Sequence, residues 1–144
     1  HPDQRRLLLG NPNLIPGAVE EMLRFITPVI HFRRTATADT EIRGQRIRRG
    51  HKVVMWYSSG NRDEDIFPDG DTFDVRRDPN DHLAFGEGQH FCLGAWRGRL
   101  ELRIVFEELL RRLPDVEVAG PVTRLRSYFL AGIMAMPVRF TPAR

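Results

Sequence analysis

A single cysteine in 144 residues constrains this chain more than any other feature. It sits in the loop Phe85-Gly86-Glu87-Gly88-Gln89-His90-Phe91-Cys92-Leu93-Gly94. A lone thiol makes no intramolecular disulfide, and it builds no tetrahedral zinc cage without several further ligands close by. It can be a buried, inert side chain, the usual state of an isolated cysteine. It can also be the single axial thiolate of a haem iron. The neighbours favour the second of these two roles. A helical pattern starts near Gly94, and the free backbone N–H groups around Leu93 and Gly94 stabilise a negative sulfur and lower its pKa. Gly86, Gly88 and Gly94 allow backbone angles, or a close approach to a flat ligand, that a β-carbon obstructs.

The pattern Phe-Gly-x-Gly-x-His-x-Cys-x-Gly at 85–94 resembles the haem-binding signature of the cytochrome P-450 haem-thiolate monooxygenases. The resemblance implies Cys92 as the axial thiolate of haem b, in a seat that includes Phe85, Gly86 and Gly94. It also implies His90, two residues ahead of the thiolate, as a partner for a haem propionate.

Hydrophobic residues make up 41% of the chain and charged residues 28%, the balance of a soluble globular protein large enough to bury a real core. No run approaches the length of an apolar transmembrane helix. The unpaired cysteine favours a reducing compartment, and the cytoplasm is expected. A formal charge of +3, without a concentrated basic stretch or a nucleic-acid motif, argues against a nucleic-acid partner. The first residue is His1, with no leader after it, so the beginning of the protein is expected to lie upstream.

Along the chain, residues 1–9 read as the tail of a helix and Asn11-Pro12-Asn13 as a turn. Pro16 opens a second helix and Pro28 closes it, with Val19, Met22, Leu23 and Ile26 on its apolar face. Phe32 to Thr37, Thr40 to Ile42, Gln45 to Ile47 and Lys52 to Tyr57 are strand signals, read together as a small antiparallel sheet. Residues 68–79 form a polar meander. Residues 94–112 read as one amphipathic helix with Leu100, Val105, Leu109 and Leu110 buried, ended by Pro114. Val116 to Val118, Ser127 to Leu130 and Val138 to Phe140 complete the strand candidates. The expected class is therefore mainly α with small antiparallel β-sheets (α+β).

Glu21 and Arg24 lie three apart and share one helix face, which on its own describes a solvated surface pair. Beside the cysteine loop it resembles the Glu-x-x-Arg signature of the same family, in which a further arginine from the meander joins the pair to brace the core. Arg77, eight residues before Phe85, is assigned to that place, with Arg76 as the alternative. Arg34 sits where the resemblance implies a second propionate partner; an exposed strand arginine is the alternative.

The resemblance runs from His1 to the end, and residues 1–144 are read as the C-terminal haem-binding part of one cytochrome P-450 domain. The family's long central helix, which relays protons to bound oxygen, would precede His1. A narrower likeness, to bacterial enzymes that oxidise steroid side chains or methyl-branched lipids, makes Val29, Ile30, Ile133 and Met134 candidates for an apolar substrate wall, with ordinary packing as the alternative. Two residues depart from the family pattern. Trp96 is bulky for its place, and Gly98 stands where alanine is usual, at a cost of about 1 kcal/mol inside a helix.

The implied activity is insertion of one oxygen atom into a C–H bond of an apolar small molecule, with electrons from a ferredoxin-type partner. Arg97, Arg99 and Arg103 are candidates for a docking face, or else a solvated helix face. The rival expectation is a truncated, non-catalytic remnant that serves at most as an interaction module, and the isolated chain is expected to be inactive.

Overall fold

A computed structural model describes residues 1–142. Helix α1 spans Pro2–Gly10, and a 3-10 turn at Pro12–Leu14 leads into α2, Ile15–Ile26. Proline in the first turn of α2 lacks only an N–H that would have had no partner there. The helix ends on Thr27, whose φ of 48° is left-handed and whose N–H donates to the Leu23 carbonyl at 2.9 Å.

Strands β1 (His31–Thr35), β2 (Thr40–Ile42), β3 (Gln45–Ile47) and β4 (Lys52–Trp56) follow. They form two ladders rather than one sheet, since β1 pairs only with β4 and β2 only with β3. A tight turn, with Gly44 at φ 79°, closes the β2–β3 hairpin on itself, so it makes no ladder with β1 or β4. Tyr57, expected as the last strand residue, instead starts the single-turn helix α3 (Tyr57–Gly60), and its carbonyl accepts the Asn61 N–H at 2.8 Å.

Helix α4 covers Ala95–Arg112. It packs on α2 through Leu102, Phe106 and Leu110, which join Leu8, Val19 and Leu23 in the core. Leu100 and Val105, expected inside, are 50% and 55% exposed. Helix α4 carries more apolar residues than one face can hold, and the seam through Ala95, Leu102, Phe106 and Leu110 takes the contact. Ile26 is likewise outside the core of α2.

The end of the chain holds β5 (Glu117–Val118), β6 (Thr123–Arg124), β7 (Ile133–Ala135) and β8 (Val138–Arg139), paired β5–β8 and β6–β7. Ser127 to Leu130 is not a strand. The Ser127 hydroxyl accepts the Phe129 and Leu130 N–H groups at 3.1 Å each, and that turn competes with extension. The turn brings Leu130 to a single bridge with Val29. Among the described residues no helix is long and apolar enough to cross a membrane.

Candidate functional site

The cysteine loop is a closed backbone unit. Gly86, at φ 75°, turns the chain after Phe85, and a β-carbon there would meet the Tyr57 hydroxyl at 3.3 Å. The Cys92 N–H donates to the Phe85 carbonyl at 2.9 Å, tying the loop's two ends together. Between them, Gly88–His90 makes a 3-10 turn, with the Glu87 carboxylate accepting the Gly88 N–H at 3.1 Å. Gly94 then caps α4, and the Ala95 N–H reaches the Cys92 carbonyl at 3.2 Å.

Cys92 is free and exposed, not a buried inert thiol. It faces a cavity of about 600 Å³ together with Phe85, Gly86, His90 and Arg34. The apolar bed of that cavity comes from Leu23, Pro28, Val29, Phe32 and Ala84, with Tyr57 beside them. Among the described residues Arg34 pairs with no carboxylate; its guanidinium lies 5.6 Å from the Phe32 ring centroid. A haem needs one axial ligand, an apolar bed, and polar groups for two propionates. The thiol, the apolar wall, the unpaired guanidinium and the imidazole on one cavity fit that set.

Of the four substrate-wall candidates, Val29 lines this cavity. Ile30, Ile133 and Met134 do not: Ile30 is tied by its backbone to Tyr57 and Phe129, and Ile133 and Met134 lie exposed in β7. Trp96 projects into solvent away from the cavity lining. Gly98 lies against Phe85, where a β-carbon would sit 3.8 Å from the ring.

Glu21, Arg24 and Arg77 meet in one network. Arg24 donates to Glu21 through Nε (2.7 Å) and Nη2 (2.8 Å), and both side chains are fully buried rather than solvated. Arg77 Nε lies 3.3 Å from Glu21 Oε2, whereas Arg76 points outward to Asp74. The Asp74 N–H and the Asn80 side-chain amide add 3.0 Å hydrogen bonds to the same carboxylate. Burial pushes the Glu21 carboxyl up, but the Arg24 hydrogen bonds, the Asp74 N–H and the two guanidinium charges outweigh it and hold it below the usual range.

A second network, which no local pattern announces, lies one residue earlier on α2. Arg99 forks onto Glu20, with Nε at 2.8 Å and Nη2 at 2.9 Å, and His82 Nε2 lies 3.0 Å from the same carboxylate. Arg99 therefore turns inward and leaves the expected docking face. Arg97 and Arg103 stay exposed, paired along the helix with Glu101 (2.9 Å) and Glu107 (3.6 Å).

The fold and cavity define a class first: helices with small antiparallel sheets around one thiol that faces an apolar, cation-rimmed cleft. The chain belongs to the cytochrome P450 family, whose model matches residues 11–138. It is 48% identical to the steroid C26-monooxygenase of Mycolicibacterium smegmatis over 145 residues, covering 99% of this chain and 36% of that protein. It is also 48% identical to the methyl-branched lipid omega-hydroxylase of Mycobacterium tuberculosis over 143 residues, covering 98% of this chain and 33% of that protein. The structure superposes with a TM-score of 0.95 on P450BioI in complex with an acyl carrier protein ligated to hexadec-9Z-enoic acid, at 40% identity, covering 98% of this chain and 37% of that one. The chain thus spans about a third of the length of the relatives it matches. The expected α+β architecture of the C-terminal part of the P-450 fold, and the likeness to steroid and branched-lipid hydroxylases, agree with these matches.

Proposed function

We propose that this chain supplies the thiolate side of a haem-dependent monooxygenase acting on an apolar small molecule, with a steroid side chain or a branched lipid as the favoured class. The carrying observation is Cys92, a free thiol at the start of α4, exposed on an apolar cavity that also holds Arg34 and His90. The Cys92 thiolate would hold the iron of a haem b. When bound, the haem would supply the chemistry that inserts one atom of O2 into a C–H bond, the other leaving as water with two electrons from a redox partner and two protons from solvent.

The remaining roles belong to the protein. Arg34 and His90 hold the two propionates, Phe85, Gly86 and Gly94 shape the seat, and Val29 contributes to the substrate wall. Glu21, Arg24 and Arg77 brace the meander as one satisfied polar network. A ferredoxin-type protein supplies the two electrons and docks on exposed Arg97 and Arg103 of α4. All 144 residues belong, in this proposal, to one haem-binding domain, and the proposed compartment is the cytoplasm. Alone, they form no stable thiolate complex on haem titration, because the loop beside Cys92 is open to water, with Leu93 fully exposed; the haem-loaded enzyme is therefore the full-length protein that contains them.

The test is product analysis under isotopically labelled dioxygen, with a steroid, a methyl-branched lipid and an acyclic terpene offered to the haem-loaded enzyme. One labelled oxygen atom per hydroxylated product supports the reading. Product formation that persists in Cys92→Ala contradicts it.

A further inference from the structure

The Glu20–His82–Arg99 cluster has no place in the roles assigned above, yet it touches the cysteine loop on two sides. Arg99 comes from α4, one turn beyond the Gly94 cap, and Glu20 from α2, so their fork ties the helix that follows the thiol to the helix beneath the cavity. The Arg99 guanidinium also lies 4.6 Å from the centroid of the Phe85 ring, close enough for cation–π attraction. Phe85 lines the cavity, and its carbonyl receives the Cys92 N–H at 2.9 Å. Gly98 also lies against that ring, where a β-carbon would make ordinary contact at 3.8 Å.

The second side is His82. Its side chain is 1% exposed, and its Nδ1 accepts the Ala84 N–H at 3.2 Å. Nδ1 therefore carries no hydrogen, and Nε2 donates to Glu20 Oε2 at 3.0 Å. Glu20 is thus held from the loop's entry, at His82 and Ala84, and from its exit helix, at Arg99. One carboxylate fixes both ends of the segment that presents the thiol.

We propose that Glu20, His82 and Arg99 are positioning residues for the Cys92 thiolate, acting through Phe85, with the Glu20–Arg99 charge balance setting the field at the cavity. The inference rests on Cys92 being the haem ligand. Two effects separate it from a plain brace between α2 and α4. Loss of either partner lets the loop move, so the thiolate ligand is lost more readily. The electrostatic effect has opposite signs: Glu20→Gln leaves an uncompensated guanidinium beside Phe85 and favours the electron-richer state of the haem, whereas Arg99→Gln leaves an uncompensated carboxylate and disfavours it.

The experiment compares wild type, Glu20→Gln, Arg99→Gln, Arg99→Lys, the Glu20→Gln/Arg99→Gln double variant and, as a control on the far end of α4, Arg111→Gln, all as haem-loaded holoenzyme. The readouts are the carbon monoxide difference spectrum characteristic of thiolate ligation, its decay with time, the reduction potential, and the melting temperature. The expected result is several-fold faster loss of the thiolate signature in both single neutralising variants, with potentials shifted up in Glu20→Gln and down in Arg99→Gln. The double variant returns towards the wild-type potential but keeps the fast loss. Arg99→Lys, which keeps charge without the fork, holds the potential and loses the signature at an intermediate rate; Arg111→Gln behaves as wild type. A lowered melting temperature with unchanged spectrum and potential overturns the proposal, as do shifts of the same sign in both single variants. Absence of the thiolate signature in the wild type overturns instead the haem-thiolate reading beneath it.

Discussion

Arg24 and Glu21, one turn apart on α2, form a forked ion pair with no solvent exposure on either side chain. Arg24 spends its remaining donors on the carbonyls of Asn61 (2.6 Å), Gly70 (2.7 Å) and Thr72 (3.0 Å). The pair is therefore the hub on which the irregular segment after α3 is hung. Such a segment has few backbone partners of its own, and a guanidinium inside it satisfies carbonyls that would otherwise be buried without donors.

Breaking that hub is expected to be costly. Arg24→Ala leaves three carbonyls without their donor and the Glu21 carboxylate with Arg77 as its remaining cation, a loss of about 3–5 kcal/mol for a buried pair. Arg24→Lys rescues little, because an ammonium cannot reproduce the fork. Denaturant unfolding of the holoenzyme checks both. A near-normal midpoint for Arg24→Ala would show that the network is not a structural hub.

Gly98 offers a change in the other direction. A β-carbon there meets Phe85 at 3.8 Å, ordinary van der Waals distance, and the backbone is already helical. Gly98→Ala is expected to stabilise the protein by about 1 kcal/mol through helix propensity and reduced freedom of the unfolded chain. A higher melting temperature with an unchanged thiolate spectrum is the predicted outcome; a lower one means that the Phe85 contact is tighter than its geometry indicates.

Acid is expected to weaken the fold through two adjacent carboxylates. Burial pushes Glu20 up, but the hydrogen bonds from His82 and Arg99 outweigh it and hold the group at about 2 against an ordinary 4.5. Glu21 is lowered as well. A depressed carboxyl stabilises the fold fully above its unfolded value, and that contribution fades as pH falls towards the folded one. Stability is therefore predicted to drop between about pH 4.5 and 2. In Glu20→Gln the drop over that window is shallower. An identical acid limb in this variant and the wild type would contradict the assignment.

Arg34 is expected to matter to haem retention and little to folding, since it is exposed and without a carboxylate partner among the described residues. A hydrogen bond to a charged group contributes about 1.5–3 kcal/mol, so Arg34→Ala should raise the haem dissociation constant by roughly ten-fold or more. Transfer of haem to an acceptor protein measures it. A rate equal to wild type would remove Arg34 from the seat.

Much of the local structure was legible because it rests on short-range chemistry. Pro16, the glycine-broken strands and the amphipathic run after Gly94 placed α2, the β1–β4 segment and α4 to within a few residues. Sequence spacing also brought Glu21 and Arg24 onto one turn, but only packing shows that the pair is buried. Which apolar residues of α4 face inward was not legible, because Leu100 and Val105 match a helical period as well as Leu102 and Phe106 do; the facing helix chooses. Glu20, His82 and Arg99 carry no local signal at all. They are 62 and 79 positions apart in pairs and meet only through the fold.

The most direct measurement is the carbon monoxide difference spectrum of the haem-loaded enzyme with Cys92 replaced by alanine, recorded beside the wild type. The expected result is a thiolate signature in the wild type and its complete absence in Cys92→Ala at equal haem content. A thiolate signature that survives the substitution would contradict it, because the iron would then take its sulfur from elsewhere.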